Sequence, residues 1–269
     1  MNAYLSRLGP NAQRGSKPRC HFITEGTPKE VAGRLTELIK PWGYVETRDR
    51  WMPQGFDQIE EAQLHKADRL IGRANSDIIR DWWFKIVHGQ QAGPNFDIAS
   101  TCTVAVDDER RRGVLLVEAK AHVAELDPGG MHLPANPSPN ELTNRDHIKD
   151  AIDAVNSHLT ASTQVQWELS RDSHYQMSNR FAAACKLAQL GYPVILVYLG
   201  FLNANEMTDK SPPFTTAENW KDLVKAHSNQ LFPERIWNQP HTVCRQPFVP
   251  LIYSTQIDHD KPIGKFVVF

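Results

Sequence analysis

Val114-Leu115-Leu116-Val117-Glu118-Ala119-Lys120-Ala121 is an apolar run, partly β-branched, that passes directly into Glu-x-Lys. Side chains of a strand alternate, so Glu118 and Lys120 emerge on one face while Ala119 points away. Upstream, Asn95-Phe96-Asp97-Ile98-Ala99-Ser100-Thr101-Cys102 is a second short apolar segment that carries one acid. Between them, Asp107-Asp108-Glu109-Arg110-Arg111-Arg112 contains no apolar residue and suits a turn. The spacing predicts antiparallel strands over Phe96 to Val106 and Gly113 to His122. Two carboxylates and an ammonium at the ends of neighbouring strands can hold a hard divalent cation and aim a water.

Outward from this hairpin, the pattern alternates between helical and extended periods. Ala124 to Thr143 is rich in Pro, Gly and Asn and reads as a long loop. A helix follows with Ile148, Ile152, Val155 and Leu159 as its stripe. Loop and helix together, 124–172, look like an insertion, either a lid over a site or simple decoration. Ser173 to Leu190 is a second helix, capped by Ser173 and stopped at Gly191, with Met177, Phe181, Ala184 and Ala188 inward. Pro193 to Leu199 is solidly apolar, as a strand buried on both faces is.

Upstream, Thr27-x-x-Glu30 with Pro28 spells a capping box that opens a helix with Val31, Leu35, Leu38 and Ile39 inward, ended by Pro41. A strand is expected at Tyr44-Val45. A longer helix is expected from Asp57 to Arg80, with Leu64, Ala67, Ile71, Ala74 and Ile78 on its stripe. Glu60 falls on that stripe and Glu61 on the polar side. Trp83 to Val87 then reads as the first strand of the core sheet. Residues 1–24 read as a tail with one short strand near His21. Beyond Gly200, Ala217 to His227 suits a helix with Trp220 and Leu223 inward. Phe248 to Tyr253 suits a strand that Pro250 confines to an edge.

The middle of the chain therefore spells helix, strand, strand, strand, helix, strand. An α/β fold with a mixed central sheet flanked by helices follows, and an all-α or sandwich fold does not. Asp97, Glu118 and Lys120, in this order of elements from Phe56 to Leu202, resemble the PD-(D/E)xK superfamily, the restriction-endonuclease-like nucleases. Without internal repeats or low-complexity tracts, a single domain is expected: tail 1–24, core 56–202 with its insertion, and elaboration 203–269. The resemblance implies a nuclease that hydrolyses nucleic acid, expected to be DNA and expected to be cut internally. Asp97 and Glu118 would bind Mg²⁺ or Mn²⁺ with the carbonyl of Ala119, and Lys120 would hold the attacking water. A homodimer is compatible, since many relatives pair two sites. Two features depart from the family: Phe96 rather than Pro precedes Asp97, and the insertion delays the helix that usually follows Glu-x-Lys.

Further candidates each keep two readings. Glu60 is either a family-like metal ligand on the first helix or a carboxylate favoured by the helix dipole. Gln176, Asn179 and Arg180 contact metal site or phosphate, or they decorate an amphipathic helix. His122 shares the face of Lys120 and either touches a phosphate or lies at the surface; His88, beside Gly89, is weaker. Trp82-Trp83 either stacks on bases or packs in the core. Lys120 could also be a plain salt-bridge partner. The whole chain could instead be a binding or scaffold protein that kept the fold and lost turnover.

Net charge −1 argues against a simple non-specific nucleic-acid binder, whose affinity comes from phosphate neutralisation. A local basic face could still form from Arg110 to Arg112 with Lys66, Arg69 and Arg73, or the arginines merely solvate a turn. No apolar run approaches the ~18 residues of a membrane span, and Met1 to Arg19 lacks the apolar core of a signal peptide. Cys20, Cys102, Cys185 and Cys244 are far apart without Cys-x-x-Cys, which suits free thiols in a reducing cytoplasm. The histidines form no His-Glu-x-x-His, and there is no P-loop and no Gly-x-Ser-x-Gly elbow.

Overall fold

A computed structural model describes residues 3–87 and 93–269. His88 and the start of the loop after it lie outside the described residues. The strands are β1 (Gly43–Tyr44), β2 (Trp51–Met52), β3 (Ala62–Gln63), β4 (Asn95–Phe96), β5 (Ile98–Val106), β6 (Glu109–Lys120), β7 (Val194–Phe201), β8 (His241–Val243) and β9 (Gln246–Thr255). The α-helices are α1 (Ser16–Thr24), α2 (Pro28–Glu37), α3 (Asp68–Ile71), α4 (Arg73–Trp83), α5 (Pro139–Thr163), α6 (Tyr175–Gln189) and α7 (Ala217–Ser228). The main sheet runs β1-β5-β6-β7-β9-β8, with β2 also on β5. β5 and β6 are antiparallel, β6, β7 and β9 are parallel, and β8 is antiparallel to β9. The expected mixed sheet flanked by helices is therefore present.

Strand alternation sorts the core into two halves. Leu115, Val117 and Ala119 of β6 pack with Cys20 and Ile23 of α1 and Val31 and Leu35 of α2. Val114 and Leu116 face the opposite way, toward Ile152 and Val155 of α5 and Phe181 of α6. Glu118 has the parity of Leu116 and so emerges on the α6 side. β7 is buried along its whole length, as its unbroken apolar run requires. At its end Gly200 leaves room for the Trp220 ring of α7, which a Cβ there would meet at 2.5 Å.

Several expectations are corrected. Residues 16–24 form a helix, not a tail or strand, and all but Lys17 are buried. Its sequence shows no amphipathic stripe because both sides are covered. Arg19 is satisfied by two distant partners, the Glu206 carboxylate and the Ile257 carbonyl, and by the nearby Gly15 carbonyl. The capping box at Thr27 forms as read.

The long helix expected from Asp57 does not form. Ala62 and Gln63 pair with Phe96 and Asn95 in a small second sheet. Gly72, at φ +79°, ends α3 and restarts the chain as α4. The break also shifts the helical phase. Ser76, Ile79 and Trp83 are buried, whereas Ala74 and Ile78 are exposed. Trp83 closes α4, and the residues after it are not a strand; the sheet's first strands are instead β1 and β2, before α3.

The hairpin turn is shorter than expected. Asp107 and Asp108 take left-handed φ of 50° and 63°, as a two-residue turn demands, and β6 starts at Glu109. His174, in left-handed backbone, rather than Ser173 precedes α6, and no side chain caps it. Pro250 lies within β9, which is paired with β7 on one side. β8 covers only the first residues of its other side, and there the Pro250 carbonyl accepts from the Asn238 N–H. Pro250 thus sits where no strand pairs with this side of β9, the edge position expected of it. No helix among the described residues is long and apolar enough to cross a membrane.

Arg19→Ala is expected to cost about 3 kcal/mol, because it strands a half-buried carboxylate and a buried carbonyl. Urea denaturation measures this, and a loss under roughly 0.5 kcal/mol would show that α1 is not integral to the fold.

Candidate active site

Asp97 sits at the bend where the chain leaves β4 and enters β5. The register pairs Ile98 with Val117, which places Asp97 opposite Glu118 across the hairpin. One oxygen of Asp97 accepts the Ala119 N–H at 2.8 Å; no second protein donor to this half-buried carboxylate is seen among the described residues. Burial raises its pKa first, and the Glu118 carboxylate adds to the effect. Lys120 and the Ala119 N–H oppose them, and the group is left at about 7, up from 3.8.

Glu118 is 1% exposed, yet it is held as a carboxylate. Burial pushes its pKa up; the charges and hydrogen bonds of Arg180 and Lys120 more than offset this and hold it below its ordinary value. Lys120 Nζ donates to Glu118 Oε1 at 2.5 Å and to Gln176 Oε1 at 2.8 Å. Arg180 Nε donates to Glu118 Oε2, its Nη1 donates to Asn179 Oδ1 at 3.2 Å, and its guanidinium lies over the Phe96 ring at 5.3 Å. Gln176, Asn179 and Arg180 occupy the first turns of α6 on the face toward β6. The sequence-level triad and these three second-tier residues therefore converge.

Beside them opens a cavity of about 630 Å³. Lys120, Gln176, Asn179 and Arg180 line one wall, and Gly129, Gly130, Met131 and His132 of the inserted loop line another. Backbone hydrogen bonds dock this loop: the His174 and Tyr175 N–H groups donate to the carbonyls of Pro128 and Gly129, and the Met131 N–H to that of Arg171. The insertion thus forms part of the cavity wall.

Other expected residues are placed elsewhere. Glu60 is exposed, beside Lys66 and Arg69 and away from this cavity. Its neighbour Glu61 turns inward, accepts from Asn95 Nδ2, pairs with Lys17 at 2.8 Å and adds to the raised pKa of Asp97. The helical phasing that set Glu60 apart from Glu61 does not apply, because residues 60–63 are not helical. His122 is buried and its Nδ1 has no hydrogen-bond partner among the described residues, but it does not line the cavity. Arg111 and Arg112 lie toward the opposite end of β6, where Arg112 binds Asp49 and Arg111 reaches Gln246. Arg73 is paired with Asp68 and Asp77. Trp83 is wholly buried and Trp82 lies beneath Lys186, so this pair packs the core rather than offering a free stacking surface.

Two neighbours were not legible beforehand. The Tyr198 ring is opposite Glu118 in the β6–β7 register and buried, and its hydroxyl has no hydrogen-bond partner among the described residues. His227 of α7 packs on His174 with ring centroids 4.6 Å apart. Burial, then the nearby His174 and Lys120, lowers the His227 pKa to about 4. Both residues depend on packing between elements distant in sequence, which no local pattern signals.

Among the described residues, no three His, Cys, Asp or Glu side chains converge as a metal-binding group. The donor chemistry nonetheless suits Mg²⁺, which commonly takes one or two carboxylates and fills the rest of its shell with water, carbonyl or phosphate oxygens. Each Glu118 oxygen accepts from one cation and keeps lone-pair capacity, and Asp97 carries a repulsion that a cation would relieve. Comparison with family models, curated proteins and solved structures finds no match to this chain.

The Asp97 shift has a definite sign. The folded state keeps a proton up to about pH 7 that the unfolded chain releases near 3.8. This contribution to stability is full below the lower value and is lost as pH rises through the upper one. Asp97→Asn should therefore raise the melting temperature of the metal-free protein at about pH 8, with a gain that shrinks through pH 7 and is gone near pH 4. A pH-independent effect in thermal melts would refute the strained carboxylate.

Proposed function

We propose that this protein is a metal-dependent nuclease acting on DNA, with Asp97, Glu118 and Lys120 at its centre. One observation carries the reading. Two carboxylates and two cations, Asp97, Glu118, Lys120 and Arg180, cluster where β5, β6 and α6 meet, beside a solvent-accessible cavity. Fold order supports it as well. α2, the β1/β2 pair, β5, β6, α6 and β7 follow as helix, strand, strand, strand, helix, strand, with α3–α4 and α5 as additions. The helix and strand that open this series lie before Phe56, not within the 56–202 core that the resemblance implied.

Asp97, Glu118 and the Ala119 carbonyl would hold Mg²⁺ or Mn²⁺. Bound there, the ion would offset phosphate charge, activate a water and stabilise the leaving oxygen. Lys120, held by Glu118 and Gln176, is positioned to orient that water with its ammonium protons. Arg180 and Asn179 present donors for a phosphate oxygen. The inserted loop limits how much solvent reaches the cluster. Four unpaired cysteines support a reducing, cytoplasmic setting.

A second reading rests on the same cluster. Lys120 and Arg180 already neutralise Glu118, as a structural ion-pair network would, and a nucleic-acid-binding or scaffold protein without turnover could keep it.

Plasmid and single-stranded DNA incubated with Mg²⁺ or Mn²⁺ separate the readings. Cleavage is expected, abolished by EDTA and reduced about 10²-fold or more by Asp97→Ala, Glu118→Ala or Lys120→Ala. Activity that survives EDTA and both the Glu118 and Lys120 substitutions would end the assignment. DNA binding or metal binding by calorimetry without cleavage would favour the second reading.

A further inference from the structure

The charged cluster at the cavity lies below the protein surface. Lys120 is 5% exposed and Glu118 1%. Among the described residues, the cavity of about 630 Å³ that reaches Lys120 is lined by the inserted loop on one side and the start of α6 on another. A recess of this size suits a small molecule or about one or two nucleotides. Its loop wall is held in place. Besides the backbone bonds that dock it, the Asp127 carboxylate accepts the Gly129 N–H at 2.7 Å. Gly130 lies so close to the Asp172 backbone that a Cβ there would meet the carbonyl oxygen at 2.5 Å.

We propose that this cavity admits an unpaired strand, so that the site takes single-stranded DNA and rejects intact duplex. The inference rests on the nuclease reading of the same residues.

A duplex carries its phosphates on the outside of a rod that stays stiff over roughly 150 base pairs. Such a rod cannot push one phosphate into a walled recess while both strands remain paired. A single strand bends freely and can. The lining also divides by chemistry in the way a single nucleotide requires. Lys120 and Arg180 supply positive charge on the α6 side. The Gln176 amide oxygen is taken by Lys120 at 2.8 Å, which leaves the amide N–H groups as donors to a phosphate oxygen. Met131 and His132 of the loop, with the partly buried Tyr175 ring, offer apolar and aromatic surface to a base. The carboxylates of Glu125 and Asp127 line the same cavity and repel phosphate from the loop side. The strand's backbone is thereby directed along α6 and its base toward the loop. The same geometry accounts for the chain's net charge of −1. Duplex binders gain affinity by neutralising many phosphates, whereas a recess that takes one or two needs no extended basic face. Arg73, Arg111 and Arg112 are accordingly engaged with protein partners elsewhere.

Fluorescence anisotropy of the full chain in EDTA provides the test, with a labelled single-stranded oligonucleotide and the blunt duplex of the same sequence. The single strand is expected to bind at least about tenfold more tightly. Tyr175→Ala should weaken that binding about fivefold or more, and Tyr175→Phe, which keeps the ring, should restore it. With Mg²⁺ or Mn²⁺, a duplex bearing a single-stranded tail should be cut in the tail and not in the paired part. Equal binding of both DNAs, or equal cleavage of the blunt duplex, overturns the proposal and leaves the nuclease reading standing. Selective binding of the single strand without cleavage of either DNA ends the nuclease reading and upholds the strand selectivity. Binding of neither DNA overturns the proposal. If Tyr175→Ala fails to fold, the ratio measured on the unaltered protein decides.

Discussion

The buried carboxylate of Glu118, clasped by Lys120 and Arg180, is the interaction on which the local architecture turns. Taking an ionised carboxylate out of water costs several kcal/mol, and two well-placed cations are what make that tolerable. Lys120 comes with the strand, two residues along the same face. Arg180 must come from α6, so the helix has to dock in one register along β6. That register also brings Gln176 to the Lys120 ammonium and aligns Asn179 beside the guanidinium. A purely apolar contact in the same place would stabilise the fold about as well. The ionic arrangement is therefore better explained by what it presents to the cavity than by stability.

Asp97 is the counterpart that this network leaves under-compensated. It has one backbone donor and a carboxylate for a neighbour, and its pKa rises accordingly. Glu118 and Asp97 are opposite each other on one hairpin, yet their environments push their pKa values apart, as often occurs at sites that do chemistry. Glu61, just before the small β3–β4 sheet, adds negative potential, and Asp97 is the bend between β4 and β5. The bend thus sets both the position of the acid and its electrostatic surroundings.

Helix α6 serves two regions at once. Its first turns face the cavity, while Cys185 near its other end is buried in the core on the same side of the sheet. The inserted loop is hydrogen-bonded to the start of the same helix. Insertion and candidate site are thereby joined through one helix.

Much of this was written locally. The β5–β6 hairpin, the buried β7 run, the capping box at Thr27 and the parity of Glu118 and Lys120 follow from short-range periodicity, because alternation and capping depend on near neighbours. Other features were decided only when distant segments met. Arg19 could be buried in a helix because Glu206 waits across the fold. Gly72 reset the helical phase, so the stripe continued through Ile79 and Trp83. Glu61 rather than Glu60 turned inward, where it meets Asn95 and Lys17 from distant segments. Which side chains touch Glu118, and therefore which charges it can keep, is a property of tertiary packing: desolvation and Coulomb energies depend on distances that local patterns do not encode.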